Sequence, residues 1–377
     1  MMSDEKKLKK SIIILHDVDG RIYFQGIEAL KNAGEVTEIV YRETSVFRRL
    51  VSAIVKRTIN RETIIRALNN LWFRVKLPFI KDKIIILGIA PYNFRFLIYS
   101  ILAINNKVIY HTSWPYWWTE NVPSKYGPLT VYFIKAFRFI LNKFEFSFVC
   151  VTHPVAQSLA SNLKNNNVIS VIPHAVDLSV FNNCYNEDEN FAKKDIVKVL
   201  YVGRMVKEKG VYEIADLVKK LKKSHHFSFV GSGSELQLLM KFLQGQDNVS
   251  FYGQVNDKTS LANIFKEHDV LLLPSKRIDG WEELFGLVLI EAMACGLIVI
   301  ATDHIGPRGI IKNGEDGIII PEHGMVKEIE NILLDFAENK ENWSAISERA
   351  KCSVKKYSLQ SVSRQWQKVI YNDKDSV

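Results

Sequence analysis

Cysteines are few in this chain and far apart. The four of them, Cys150, Cys184, Cys295 and Cys352, form no C-x-x-C pair. Closely spaced cysteines are the usual sign of a disulfide scaffold or a zinc site, so we expect neither here. Structural disulfides belong to oxidising compartments, and we therefore expect a cytoplasmic protein.

Long apolar runs and internal repeats are also missing. No run approaches the roughly 18 residues that a membrane-spanning helix needs. Four lysines between Lys6 and Lys10 precede the apolar stretch Ser11 to Leu15, in the manner of a signal peptide. The apolar part is too short for one and no small-residue cleavage site follows it, so we predict a solvated tail and a buried first strand.

Acidic residues are scarce in the first half. Residues 1–190 hold 24 Lys+Arg against 16 Asp+Glu, whereas residues 191–377 hold 26 against 25. A basic, apolar segment over residues 44–81 with one acid, Glu62, favours contact with an anionic membrane face. A solvated helical face and a nucleic-acid surface are the alternatives, and we predict no nucleic-acid partner. The nine basic residues of the segment are Arg48, Arg49, Lys56, Arg57, Arg61, Arg66, Arg74, Lys76 and Lys81.

The pattern of apolar residues predicts an α/β fold. Short buried runs such as Ile12 to Leu15 and Val197 to Val202 alternate with stretches of helical spacing, which is typical of doubly wound parallel sheets. A chain of 377 residues is long enough for two such domains. Asn182 to Asp195 is polar and is the predicted linker. We predict a first domain over 1–181, a second over 195–355, and a helix over 356–377 that returns to the first.

The most informative stretch runs from Glu283 to Gly296. Two carboxylates, Glu283 and Glu291, flank an apolar run that Phe285 and Gly286 open. Buried strands before and after the stretch make it a strand–loop–helix–strand unit. The helix start at 283–287 offers unpaired N–H groups for a phosphate, and Glu291 could accept hydroxyl hydrogen bonds two turns in. An ordinary buried unit with two incidental glutamates is the alternative.

Cations and glycines follow other strands of the second half. Arg204 and Lys209 come after Val197 to Val202, where Arg can bind phosphate bidentately and Lys as a point charge. Asn313-Gly314 followed by Ile318 to Ile320 is typical of a hairpin turn. Weaker candidates for nucleotide contact are Gly231, Gly233 and Gly253.

In the first half, polar residues follow the predicted strands. Asp17 and Asp19 could hold a metal, although such short pairs are common, and Gly20 and Arg21 could approach a phosphate or an acceptor, or form a plain turn. His111 ends a parallel strand and should face a ligand crevice. The tryptophans and tyrosine after it, residues 114–118, predict either a sugar-stacking or membrane-facing loop, or part of the core.

Several of these motifs occur in one order. Gly203-Arg204…Lys209-Gly210, Gly231-Ser232-Gly233, Glu283-x7-Glu291, a glycine-rich turn over 306–317 and Pro173-His174-Ala175-Val176-Asp177 together resemble glycosyltransferase family 4. The resemblance is close over about 168–320 and weak before 105. It implies a GT-B fold, in which two Rossmann-like domains face each other across a cleft and the second holds a nucleotide-diphosphate sugar.

The resemblance also implies roles for individual residues. Arg204 and Lys209 match a diphosphate-binding pair, and Glu291 matches the carboxylate on the ribose. Glu283 matches the carboxylate at the donor sugar, with Phe285, Gly286 and Leu287 as backbone contacts, and His111 matches a first-domain histidine near that sugar. No metal or other cofactor is implied, because cations and the helix dipole would take the leaving-group charge. The Asp17 to Arg21 loop replaces the glycine pair that the family often has there.

The implied activity is a retaining, metal-independent transfer of a sugar from a UDP- or GDP-sugar to a glycan or lipid-linked acceptor. Cell-surface polysaccharide synthesis, of the lipopolysaccharide, O-antigen or capsule type, at the inner face of the cell membrane is the expected setting. A nucleotide-sugar epimerase of the same fold and a non-catalytic nucleotide-sugar-binding module are the alternatives. The basic segment favours the transferase over the epimerase, and the retained Arg204, Lys209, Glu283 and Glu291 favour an enzyme.

Overall fold

The chain forms two compact units in a computed structural model. The described residues are 10–17, 20–45, 51, 54–55, 59–118, 122, 126–161, 163, 167–181, 196–278 and 280–371. The first unit comprises those up to Ala175 together with those from Val362 onward, and the second comprises Val176–Ser361. The predicted linker, 182–195, lies outside the described residues. Among the described helices, none is both long and apolar enough to cross a membrane.

The first unit is built on a six-stranded parallel sheet of order β2-β1-β3-β4-β5-β6. Its strands are nearly continuous apolar runs, as expected when both faces of a sheet are covered by helices. The strands are β1 (Lys10–His16), β2 (Val36–Glu43), β3 (Ile84–Gly88), β4 (Lys107–Thr112), β5 (Ser147–Cys150) and β6 (Ile169–Val171).

Helices connect these strands, and most are amphipathic. The connection between β3 and β4 consists of the short α-helix Arg95–Tyr99 and the 3-10 turn Ser100–Ile104. Another 3-10 turn, Leu77–Phe79, follows the second helix. The helices are α1 (Gln25–Asn32), α2 (Arg61–Val75), α3 (Arg95–Tyr99), α4 (Thr130–Lys143) and α5 (His153–Ala160).

The second unit repeats the plan with the strand order β12-β11-β10-β7-β8-β9, again all parallel. Leu271, Leu272, Val299 and Ile300 are buried at its centre. Its strands are β7 (Val197–Val202), β8 (His225–Val230), β9 (Val249–Gly253), β10 (Val270–Leu273), β11 (Ile298–Thr302) and β12 (Ile318–Ile320).

The helices of the second unit alternate with its strands. They are α6 (Leu178–Phe181), α7 (Val211–Lys220), α8 (Leu236–Phe242), α9 (Lys258–Lys266), α10 (Leu287–Ala294), α11 (Ile305–Ile310), α12 (Met325–Glu338) and α13 (Lys340–Ser353). Two parallel sheets with flanking helices confirm the predicted α/β fold class.

Two expectations need correction. The first unit ends at Ala175 rather than 181, because Val176 donates its N–H to the Tyr357 carbonyl at 2.9 Å and Phe181 packs on Phe265. The hairpin predicted at 313–320 is wrong, since β12 pairs parallel to β11. Of the alternatives for the aromatic loop, the structure supports the core, because Trp117 is only 2% exposed and packs on Tyr110 and Phe137.

The last helix, α14 (Leu359–Tyr371), attaches to the first unit through one buried face. Trp366 is 1% exposed and lies 6.0 Å, centroid to centroid, from both Phe24 and His111. Gly26 on α1 permits this approach, because a Cβ there would lie 2.9 Å from Val362. The tail therefore completes the core beside β4.

Trp366→Ala should destabilise the first unit by about 3–5 kcal/mol, because it empties a large buried site between α1 and β4. Urea unfolding followed by circular dichroism measures the midpoint. Arg364→Ala, at an exposed position of the same helix, is the control and should leave the midpoint in place. Equal midpoints for both variants would contradict the packing.

Candidate functional site

The strand order of the second sheet reverses between β7 and β10. These two strands are neighbours, and the chain proceeds outward from them in opposite directions. In open parallel sheets, ligands bind beyond the carboxyl ends of the strands at such a switch point. The loops that leave it are 203–210, after β7, and 274–286, after β10.

A largely buried ion pair joins these two loops. Lys209 Nζ contacts Glu283 Oε2, and the two side chains are 12% and 13% exposed. Lys209 also lies over the Trp281 ring, with Nζ 4.9 Å from the centroid, and Ser275 donates its hydroxyl to Glu283 at 3.4 Å. The structure thus brings together two predicted site residues and adds Trp281 and Ser275, which sequence reasoning missed.

Close backbone approach makes this pairing possible. Gly210 has φ +67°, and a Cβ on it would lie 1.9 Å from the Pro274 carbonyl oxygen. A side chain at this position would therefore push the two loops apart. Glycine at 210 is required for Lys209 to reach Glu283.

The helix α10 begins beside the pair. Gly286 precedes it with φ +92°, and Phe285 is buried with its ring 6.2 Å from that of Tyr357. Leu289 donates its N–H to the Gly286 carbonyl at 2.9 Å, whereas the N–H groups of Leu287 and Val288 precede the first carbonyl that the helix could offer them. Together with the helix dipole they favour an anion at this end.

Glu291 lies one turn further along α10 and is half-buried. Desolvation raises the pKa of its carboxyl group to about 7, against the opposing attraction of Lys258. Hydrogen bonds donated by ligand hydroxyl groups would stabilise the charged form of this carboxyl group and so offset the cost of its desolvation.

Behind the pair is a second polar cluster that the sequence did not indicate. Glu282 and His304 are buried, at 4% and 0% exposure, and Arg277 contacts both Glu282 and Glu322. Burial raises the pKa of Glu282 and lowers that of His304. Nothing in the spacing of these residues signals the cluster, because they come from three different loops.

The other residues predicted for the site of the second unit do not contact the Lys209–Glu283 pair. Arg204 is exposed, and the glycines allow close contacts between backbone segments. Arg204 is 62% exposed and lies 3.8 Å from Glu208, so it is not joined to Glu283 as Lys209 is. Cβ atoms on Gly231 and Gly233 would come within 1.9 and 2.3 Å of the carbonyls of residues 203 and 205. Gly253 accepts the N–H of Gly231 at 2.7 Å.

His111 belongs to the first unit, at the carboxyl end of β4. It is 6% exposed, and its ring packs against Phe24, with 4.8 Å between centroids, and near His174. Burial, with His174 and His16 nearby, lowers the pKa of His111 well below the ordinary value. The imidazole is therefore neutral near pH 7 and can act as a hydrogen-bonding group rather than as a cation.

The polar loop after β1 takes part in a network at the switch point of the first sheet. Asp17 accepts the Ala90 N–H at 3.3 Å and a bond from the Thr44 hydroxyl, and it lies 3.7 Å from Arg95. Gly20 is buried in a 3-10 turn, and the exposed Arg21 lies over the Tyr41 ring. Asp19 lies outside the described residues.

One comparison with known proteins concerns the second half of the chain. Residues 186–352 match the family model described as Glycosyl transferases group 1. The match covers less than half of the chain. The loops of the switch point, the ion pair and α10 all fall within it, so the candidate site lies in the segment that is similar to these enzymes.

Two curated relatives match parts of the chain. An uncharacterized glycosyltransferase of Methanocaldococcus jannaschii is 28% identical over 226 residues, 55% of this chain and 56% of the relative. The capsular polysaccharide biosynthesis glycosyltransferase CapM of Staphylococcus aureus is 28% identical over 230 residues, 54% of this chain and 58% of the relative. The chain spans about half the length of the curated relatives it matches.

A solved structure matches nearly the whole chain. The Anabaena protein HepE in complex with UDP-glucose has a TM-score of 0.69 and 15% identity, covering 96% of this chain and 99% of that one. At this identity the likeness concerns the fold. It confirms the predicted two-domain α/β fold and extends the likeness over the first half, where the sequence resemblance is weak.

The raised pKa of Glu291 has a consequence for stability. A carboxyl group whose pKa is raised by folding destabilises the folded protein when it ionises. For Glu291 this loss of stability is absent below pH ~4.5, the ordinary pKa, and complete above the pKa of about 7 in the folded protein. Glu291→Gln should therefore gain roughly 1–2 kcal/mol over the wild type as pH rises from 5 to 8. Urea midpoints at both pH values measure the gain. A difference independent of pH would contradict it, and Glu328→Gln, on α12, is the control.

Proposed function

We propose that this chain is a glycosyltransferase that moves a sugar from a nucleotide-diphosphate sugar to a glycan or lipid-linked acceptor. The observation that carries the proposal is the largely buried Lys209–Glu283 pair beside the start of α10, inside the segment that matches the group 1 glycosyl transferases. The arrangement offers a cation, a helix N-terminus and two carboxylates at one switch point. These are the groups that a diphosphate, a ribose and a sugar require.

The diphosphate is assigned to Lys209 and the first turn of α10. An ammonium group has three N–H donors, so the bond to Glu283 leaves capacity for phosphate oxygens. Arg204, in the same loop as Lys209, adds positive charge with an exposed guanidinium. The pair and the helix dipole stabilise the charge that develops on the leaving diphosphate, and no metal or other cofactor is proposed.

The sugar and the ribose are assigned to the two glutamates. Glu283 is held by Lys209 and Ser275, so its carboxylate is fixed in direction and can orient sugar hydroxyls. Glu291 accepts the ribose hydroxyls. Retention is proposed, with the acceptor hydroxyl attacking from the leaving-group face and a phosphate oxygen taking its proton.

The acceptor is assigned to the first unit. The carboxyl edge of its sheet carries Asp17 and the partly exposed Arg95, which suit hydroxyl or phosphate groups of an acceptor. The match to a capsular polysaccharide glycosyltransferase supports a cell-surface polysaccharide as the product class. We propose UDP- or GDP-sugars as donors and the family 4 mechanism.

Lys209→Ala and Glu291→Ala should each weaken UDP or GDP binding at least tenfold, since each removes a bond between charged and polar groups worth about 1.5–3 kcal/mol. Isothermal titration with UDP, GDP and ADP in EDTA, followed by hydrolysis assays with the corresponding sugars, measures this. Lys222→Ala, at an exposed position, is the matched control. Binding by both site variants at wild-type affinity would refute the assignment.

We also propose that the first unit contacts an anionic membrane face. Of the 27 large apolar side chains exposed among the described residues, 21 lie in this unit. On α2 the apolar stripe points to solvent, and it includes Leu68 and Trp72, at 59% and 58% exposure. Lys76 lies over the Trp72 ring, and Phe79 beyond it is 78% exposed.

The surface continues from α2 across neighbouring elements on the same face of the sheet. The turn 77–79 packs on 100–104, and α3 packs on α4. Exposed side chains on these elements are Ile98, Ile101, Ile104, Val131, Tyr132 and Phe139. The prediction that Arg74 belongs to the basic surface is wrong. Its side chain points inward and donates to the carbonyls of Glu43 and Thr44 at 2.9 and 2.7 Å.

Replacing Arg61, Lys76 and Lys81 together by glutamate should reduce binding to phosphatidylserine vesicles at least tenfold, at ~1 kcal/mol for each lost cation. Vesicle sedimentation measures the bound fraction. Replacing the exposed Lys222, Lys223 and Lys241 of the second unit together by glutamate is the charge-matched control. Unchanged binding of the triple variant would rule out this surface.

A further inference from the structure

The peptide of Glu283 is clamped on both sides by the segment after β11. Its N–H donates to His304 Nδ1 at 3.0 Å, and its carbonyl accepts the Gly306 N–H at 2.9 Å. Gly306 lies so close that a Cβ there would be 2.4 Å from the Phe285 nitrogen. The backbone of the loop is therefore fixed at the residue whose carboxylate meets Lys209.

His304 spans the loop from its start to its end. Its Nε2 lies 2.9 Å from the carbonyl oxygen of Ser275, just after β10. Its Nδ1 accepts the N–H of Glu283, eight residues further along the chain. A neutral imidazole has one donor and one acceptor nitrogen. Since Nδ1 accepts an N–H, the ring proton must lie on Nε2, and it donates to Ser275.

Charged groups surround the ring on every side. Glu322, after β12, lies 3.3 Å from Nε2, and Glu282 lies 3.9 Å from Nδ1. Arg277 binds both carboxylates and so offsets their pull on a ring proton. On the ring's own segment, Asp303 is paired with Arg308. The side chain is fully buried, and burial together with Arg277 lowers its pKa.

We propose that His304 is a positioning residue, whose neutral Nε2–H form sets the Glu283 peptide and through it the carboxylate that faces Lys209. The ring touches neither ion-paired group, so it acts through the loop. A second proton would occupy Nδ1 and set two N–H groups against each other, which releases the Glu283 peptide. The inference rests on the proposed function in so far as Glu283 orients the donor sugar.

Three variants separate the two bonds. His304→Phe keeps the ring volume and removes both bonds. His304→Asn places an amide oxygen near Nδ1, where it can accept the Glu283 N–H, but it cannot reach Ser275. His304→Gln places its amide nitrogen near Nε2, where it can donate to Ser275.

For sugar transfer or donor hydrolysis, we expect His304→Phe to lower kcat about 100-fold with the KM for donor within threefold. His304→Asn should recover at least tenfold of that loss, and His304→Gln should not. The kcat of the wild type should fall only at pH values below the ordinary histidine pKa of about 6.5, because burial lowers the pKa of His304, and the kcat of His304→Asn should not show this fall. Equal loss in Asn and Gln variants, with no change in the pH profile, would mean a merely structural role and overturn the proposal.

Hydrogen exchange gives a readout that does not depend on activity. The Glu283 amide should exchange faster in His304→Phe or His304→Gln than in the wild type and stay protected in His304→Asn. Equal protection in all variants would overturn the positioning role. If the wild type proves inactive on every nucleotide sugar, the proposed function fails while this exchange pattern still decides the inference. If His304→Phe does not fold, the Asn and Gln variants alone decide it.

Discussion

The Lys209–Glu283 ion pair is the interaction on which the site depends. Two side chains 74 residues apart meet because β7 and β10 are neighbours and because Gly210 lets their loops touch. The pair is largely removed from solvent, where removing one partner leaves an uncompensated charge and costs far more than at the surface. Each member therefore fixes the other, and the start of α10 is held beside both.

Two layers of polar groups support this arrangement. In front, Glu283 and Glu291 present carboxyl groups in different states, one paired with a cation and the other with its pKa raised to about 7. Behind, His304, Arg277 and their carboxylate partners are bonded to one another, as buried polar groups must be. The loop before α10 thus has the Glu283 carboxylate on the side of Lys209 and its hydrogen-bonded backbone on the side of His304.

Much of the fold followed from local patterns. Val197–Val202 was bounded correctly because a buried strand carries a strong periodic signal, and the helix predicted within 356–377 is present as Leu359–Tyr371. The hairpin at 313–320 was wrong, since parallel pairing leaves no distinct spacing. Trp117 shows the same limit: an aromatic run after a strand looks the same whether it faces solvent or the core.

The sequence by itself determined the succession of strands and helices and the spacing of Glu283 and Glu291 on one helix start, because both are local. Tertiary structure alone decided that Lys209 meets Glu283, that Arg74 turns inward, and that His304 receives the Glu283 N–H. These contacts depend on which strands lie side by side and on how closely their loops approach. Periodicity carries no information about strand order, so these contacts could be known only once the sheet was formed.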